Sequence, residues 1–208
     1  MPGSNTRDRI AAAALALFNE HGEPNVTTNG IADELGISPG NLHYHYRTKQ
    51  KLIDELFGRF EQRMLRLLGG DAAERADVED AWLFLHLVFE TIAAYRFLYR
   101  DLNELCARSR DLRRRVRGIL KLSMGTASDL LVALERAGQC EMTALERATA
   151  VRNIVLIASY WIAFDQIMEP NREPRPARAA IQVMSIVSPF LRGQAREQFE
   201  LLARAYRD

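Results

Sequence analysis

The sequence predicts an all-α fold, and three observations carry that expectation. Apolar residues recur at three- and four-residue spacing through most of the 208 residues. Helix-starting Ser, Thr and Asp and helix-ending Gly recur at the edges of those runs. Alternating strand patterns are almost absent. Hydrophobic residues make up 48% and charged residues 26%, ordinary values for a globular chain of this length.

The elements follow in order. A first helix over 7–20 places Ile10, Ala13, Ala14, Leu17 and Phe18 on one stripe and stops at Gly22, with Pro24 beyond. Basic residues ahead of this run loosely imitate a secretory signal. Asp8 interrupts them and "NEHGE" stands where a cleavage site would need small residues, so a cytoplasmic amphipathic helix is expected. Thr27 and Thr28 cap a second helix that carries Ile31, Ala32 and Leu35 inward and ends at Gly36. Ser38 caps a third, 39–46, with Pro39 at its first position, where a missing N–H costs nothing. Thr48 caps a long fourth helix, with Leu52, Ile53, Leu56, Phe57, Phe60, Met64 and Leu67 inward, as far as Gly69 and Gly70. "GGDAAERAD" is then a polar break.

Beyond it, Asp77 caps a helix apolar on nearly every side, through Trp82, Phe84, Val88, Phe89 and Ile92, as expected of a helix surrounded by others. A shorter helix runs through Tyr99, Leu102 and Leu105, and Ser109 opens another that closes at Gly138. Thr143 and Glu146 form a capping box for a second helix apolar almost all round, from Val151 to Phe164. A Pro-rich loop over 169–178 leads to a helix near 177–187 and a last one from Ser188-Pro189 to Tyr206. The expected total is nine or ten helices. No apolar run approaches the roughly 20 residues that a bilayer requires.

Composition selects no partner by itself, because 28 Lys and Arg face 27 Asp and Glu. Residues 1–68 hold eight of each sign, so attraction to phosphate rests on a patch at 43–51 and on helix N-termini. Cys106 and Cys140 are too few for a disulfide framework and match no metal spacing; idle thiols are expected. No Gly-rich phosphate loop, nucleophile elbow or zinc spacing nominates an enzyme or a cofactor.

The stretch "SPGNLHYHYRTKQKL", 38–52, carries the functional signal. Segments 28–35 and 39–46 are two short helices joined by "LGIS", a helix-turn-helix whose second helix can enter a major groove. Four consecutive rings, His43 to Tyr46, sweep most of the way round a helix and cannot all be buried. Leu42 and Tyr46, four apart, share the inner face. Asn41, Tyr44 and His45 form another, with Gly40, His43 and Arg47 beside it and Lys49 and Lys51 following. Donors, flat rings and cations at this density suit phosphate oxygens and base edges, and Gly40 removes a side chain where a backbone must approach. His43 and His45 stand about 200° apart around the axis, so they cannot grip one metal ion from the same helix.

"TTNGIADELGISPGNLHYHYRTKQKLIDELF" resembles the DNA-binding signature of TetR-family transcriptional regulators, and "GNLHYHYRTKQ" is especially similar to QacR-like members. The resemblance covers about 7–60. It implies a helix-turn-helix DNA-binding domain over 1–50, joined by a long helix to a helical ligand-binding and dimerisation domain over 51–208. By the same resemblance, Thr27 and Thr28 anchor on phosphate, Ser38, Gly40, Asn41, His43 and Tyr44 face the groove, and His45 and Lys49 clamp phosphates. His43 departs from the family, which most often has Tyr there, and its shorter ring is expected to alter base preference.

The implied function is a repressor that leaves a pseudo-palindromic double-stranded operator when a small-molecule effector binds. The implied assembly is a homodimer joined through the last long helices. Ala179, Ala180, Val183, Ile186 and Val187 form one stripe suited to that interface. His86, Phe89, Asn103, Tyr160 and Trp161 are the candidate pocket residues, polar groups among bulky apolar ones. A rival reading is a ligand- or protein-binding helical module whose helix-turn-helix no longer reads sequence. That rival predicts only weak, sequence-blind duplex affinity.

Overall fold

The computed structural model describes residues 2–70, 77–170 and 172–206, and the polar break expected at 69–77 lies mostly outside them. The described residues form α1 (Pro2–His21), α2 (Thr28–Glu34), α3 (Pro39–His45), α4 (Lys49–Leu68), α5 (Val78–Ala94), α6 (Arg96–Arg100) and α7 (Leu102–Arg108). They continue with α8 (Arg110–Arg136), α9 (Ala144–Met168), α10 (Pro176–Val187) and α11 (Gly193–Ala205). Short 3-10 turns occupy Glu23–Asn25 and Ser188–Phe190, and β-structure among these residues is limited to one isolated bridge, Cys140 with Leu191. The all-α expectation holds. One count changes: the short helix expected through Leu105 is two, because Asp101 leaves helical geometry at φ −102° and ψ 17°.

Two compact units emerge: Met1–Gln62 with Ala94–Arg113, and Arg63–Ala93 with Arg114–Asp208. These units divide the chain inside α4, before the last residue of α5 and inside α8, so α6 and α7 belong with the helix-turn-helix unit. Side chains explain this. Asn19 donates from Nδ2 to the Ala94 carbonyl at 2.9 Å and accepts at Oδ1 from the Phe97 N–H at 3.1 Å. Arg100 donates to the Phe18 carbonyl at 2.5 Å, and the Phe18 and Phe97 rings lie 5.2 Å apart. Phe60 meets Tyr95 and Tyr99, each at 5.7 Å.

The core of this first unit follows the sequence pattern. Ile10, Ala11, Ala14 and Phe18 of α1 are buried, as are Leu52, Ile53, Leu56, Phe57 and Phe60 of α4. Burying a Phe or Leu side chain fully is worth about 1.5–3 kcal/mol before the entropy cost of ordering the chain. Between α2 and α3, the N–H of Ile37 donates to Ala32 and that of Gly36 to Asp33, a Schellman closure that needs the positive φ of Gly36, 62°.

In the second unit, Thr143 and Glu146 make the expected capping box in both directions, at 3.2 and 2.7 Å. Thr126 Oγ1 donates toward the last carbonyl of α4, Leu68, at 3.0 Å. α10 packs on α9 and α11. The last helix starts at Gly193, not at Ser188 as expected. Glu141 N–H donates to Phe190 and Arg192 N–H to the Gln139 carbonyl, so this short antiparallel pairing holds Leu191 extended and delays the helix. Cys106 and Cys140 are free thiols. Burial, reinforced by Glu135, pushes Cys140 up to about 11, and burial also raises Cys106; both favour the protonated, unreactive form.

Candidate nucleic-acid interface

The turn and the caps position α3. Thr27 Oγ1 accepts from the Gly30 N–H at 3.0 Å and Ser38 Oγ from the Asn41 N–H at 3.2 Å, so both hydroxyls fix helix starts. Leu42 and Tyr46 turn inward and are buried, as their spacing predicts. Tyr46 is held twice by Arg7. Its hydroxyl donates to the Arg7 carbonyl at 3.4 Å, and the Arg7 guanidinium covers its ring at 4.9 Å. Arg7 also meets Glu55 at 2.8 Å, and Arg59 bridges Glu55 at 3.0 Å and Asp8 at 2.6 Å. Hydrogen bonds from Arg7 hold the Glu55 carboxyl below the usual range, while burial, seconded by Glu55, pushes the Tyr46 phenol up. This lattice of α1, α3 and α4 was not visible in the sequence, where Arg7 and Glu55 stand 48 residues apart.

With Leu42 and Tyr46 turned inward, the opposite side of α3 faces outward. Tyr44 is 84% exposed, Asn41, His43 and Gly40 are exposed, and His45 is half-buried with its ring edge-on to Tyr44 at 5.2 Å. Thr27, Thr28, Gly40, His43 and Lys49 converge on one surface groove of about 600 Å³. Asn29, Pro39, Arg47 and Thr48 line it too; Asn29 carried no signal of its own in the sequence. Ser38, Asn41, Tyr44 and His45 are absent from that lining and extend the surface along α3. A Cβ built on Gly40 meets only Ser38 Oγ, at 3.9 Å, so nothing within the chain requires glycine there. A surface that bares backbone without internal need suits close approach by something external.

Lys49 is held differently from a free phosphate clamp. Its ammonium donates to the Glu23 carbonyl at 2.5 Å, lies 2.9 Å from Glu23 Oε1 and stands over the Phe18 ring at 5.7 Å. Glu23 is buried, and Arg108 of α7 pairs with its other carboxylate oxygen. The cation expected to meet phosphate is thus already engaged.

The candidate pocket residues lie as follows. His86 and Phe89 are on α5, the first half-buried and stacked on Trp82 at 5.1 Å, the second buried. Trp161 is half-buried on α9 beside Phe164 at 6.0 Å. Tyr160 is exposed with Leu156 and Phe164, and Asn103 is exposed on α7 in the other compact unit. The stripe expected at a subunit interface is corrected: Ala179, Ala180, Val183 and Val187 are buried within this one chain, where α10 packs on α9 and α11. Exposed apolar side chains stand instead on α9, at Leu156, Tyr160, Phe164, Ile167 and Met168. No group of three or more His, Cys, Asp or Glu among the described residues is arranged to hold a metal ion.

Comparison with known proteins agrees with this geometry. The family described as "Bacterial regulatory proteins, tetR family" matches residues 10–56, and "TetR: Bacterial transcriptional repressor" matches 59–199. A crystal structure of a TetR-family transcriptional regulator from Marinobacter aquaeolei VT8 is similar over 98% of this chain and 99% of its own, with 32% identity and a TM-score of 0.86. The HTH-type transcriptional repressor KstR2 of Rhodococcus jostii (strain RHA1) is 28% identical over 101 residues, 45% of this chain and 50% of that protein. The HTH-type transcriptional regulator UidR of Escherichia coli (strain K12) is 35% identical over 60 residues, 29% of this chain and 31% of that protein. This chain spans half or less of the length of those two relatives.

Proposed function

The chain belongs to the TetR family of bacterial transcriptional regulators, and from that premise we propose that it is a repressor reading a pseudo-palindromic operator with α3. The observation that carries this reading is the division of α3 into a locked inner face, Leu42 and Tyr46, and an outer face led by Tyr44. Such a helix presents rings and polar groups rigidly to a major groove. Gly40 and His43 line the groove beside it with Thr27 and Thr28, whose hydroxyls are of a type that donates to phosphate oxygens.

Two copies meet through α9 in this proposal. Its exposed Leu156, Tyr160, Phe164, Ile167 and Met168 are apolar area that a single chain leaves in water, and a two-fold contact covers it twice over. The second unit takes a small-molecule effector, with His86, Phe89 and Trp161 as its candidate contacts. An effector that favours the non-binding arrangement lowers operator affinity by its differential affinity, about 1–3 kcal/mol of coupling. The protein acts by binding, not turnover, and in the cytoplasm; no helix among its described residues is long and apolar enough to cross a membrane.

Anisotropy of labelled duplexes from the DNA flanking the protein's own gene, beside scrambled duplexes, tests this at two salt concentrations. Preference of about 10³-fold or more for one flanking duplex is expected. Equal, steeply salt-dependent binding to every duplex favours the rival module instead.

A further inference from the structure

Glu23 lies in the 3-10 turn Glu23–Asn25 and is fully buried, with a side chain 1% exposed. One carboxylate there meets two cations from distant parts of the chain. Arg108 binds Oε2, and the Lys49 ammonium lies 2.9 Å from Oε1. The Lys49 contact is ionic, since Oε1 receives no directed hydrogen bond and the ammonium aligns on the Glu23 carbonyl at 2.5 Å. The Glu23 N–H donates to Asp101 Oδ2 at 3.1 Å, so the turn is tied at both ends of α7. Lys49 is 25% exposed and lines the groove beside Thr27, Thr28 and His43.

We propose that Glu23 and Arg108 are positioning residues for Lys49, and that Arg108 is what releases the Lys49 ammonium to an operator phosphate. This rests on the reading of the α3 surface as the operator contact. Glu23 thus holds a cation at each oxygen, and Arg108, which also lies 3.8 Å from Glu104, can stay on the carboxylate when Lys49 leaves. With Arg108 in place, Lys49 swings to a phosphate while the buried carboxylate keeps a charge-assisted partner. Without Arg108, the same swing strips a buried carboxylate of its last cation, which is strongly unfavourable. Lys49 then stays on Glu23 and one phosphate contact is lost. The placement of α7 thereby sets operator affinity without α7 touching DNA.

The test uses the full chain with Arg108→Ala, Arg108→Lys, Glu23→Gln, Lys49→Ala, and the doubles Arg108→Ala/Glu23→Gln and Arg108→Ala/Lys49→Ala. Operator affinity is measured across salt, and acetylation of Lys49 is followed by mass spectrometry without DNA. Arg108→Ala lowers affinity about tenfold, the worth of one charged hydrogen bond. Its log–log salt slope becomes shallower by about 0.9 per protomer, and Lys49 acetylation slows. Adding Glu23→Gln restores the slope and speeds acetylation, and Arg108→Lys keeps both. In Lys49→Ala, removing Arg108 changes the slope no further.

Unchanged slope and unchanged Lys49 acetylation in a cooperatively melting Arg108→Ala overturn the proposal alone. Should that variant not fold, Glu23→Gln decides, and unchanged Lys49 acetylation there overturns it equally. A wild-type protein that does not distinguish operator from scrambled duplex overturns the reading of the surface, and this proposal with it.

Discussion

Asn19 accepts a hydrogen bond from the Phe97 N–H at 3.1 Å, across 78 residues of chain, while its own amide donates to Ala94 at 2.9 Å. The first N–H groups of any helix lack partners within it, and Tyr95, at the start of α6, supplies no side-chain cap. Asn19 therefore caps α6 from α1. Replacing it with Ala leaves a buried N–H unpaired, at a cost of about 1–3 kcal/mol. Urea denaturation of Asn19→Ala checks this, and a loss below about 0.5 kcal/mol, the size of an ordinary surface substitution, contradicts it.

Gly36, ahead of α3, and Gly40, in its first turn, are glycines for different reasons. Gly36 stands at φ 62° with nothing within 4 Å of an added Cβ, so its need is conformational. Gly36→Ala destabilises the fold by about 1–2 kcal/mol. Gly40 has ordinary backbone and room for a methyl group. Gly40→Ala keeps or slightly raises the melting temperature, since Ala is the better helix residue, and still weakens operator binding about tenfold or more. A Gly40→Ala protein with wild-type affinity means that nothing approaches this backbone.

The apolar face of α9 predicts assembly. Phe164→Glu places a charge on that face and shifts sedimentation from dimer to monomer, with operator affinity falling alongside because half-sites no longer act together. Glutamate at Phe164 leaves the chain's own core intact, as Phe164 is exposed. A dimer that persists in Phe164→Glu moves the interface elsewhere.

Acid sensitivity has a named source in the lattice around Tyr46. Hydrogen bonds from Arg7, then Arg59, hold the Glu55 carboxyl below the 4.5 of an unperturbed one. A group depressed in the folded state contributes stability that is complete above its unfolded value and is lost as pH falls through the folded one. Stability therefore declines as pH drops below about 4.5, and Glu55→Gln flattens that decline. Denaturation midpoints at successive pH values compare the two proteins; parallel acid limbs exclude Glu55 as a contributor.

Local grammar made much of this legible. The caps at Thr27, Ser38 and Thr143, and the division of α3 at Leu42 and Tyr46, are written within a few residues of where they act. Contacts that join distant segments were not. Nothing near Lys49 in the sequence announces that Glu23 holds it, nor that Arg108 shares the same carboxylate. The α10 stripe is equally apolar whether it faces α9 of its own chain or a partner subunit, and only the fold decides that it is covered. Helix α11 starts late because residues 139–141 pair with 190–192, a relation across some 50 residues that no periodicity reveals.

In the proposed function, the outward face of α3 reads DNA sequence. The most direct measurement is the ratio of operator to scrambled-duplex affinity for the wild type, Asn41→Ala and Tyr44→Ala at one fixed salt concentration. Both side chains are exposed, so both variants keep the wild-type melting temperature. Operator affinity is expected to fall by at least about tenfold in one or both, the scale of one lost base contact, while scrambled-duplex affinity stays put. Ratios unchanged from wild type in both variants contradict it.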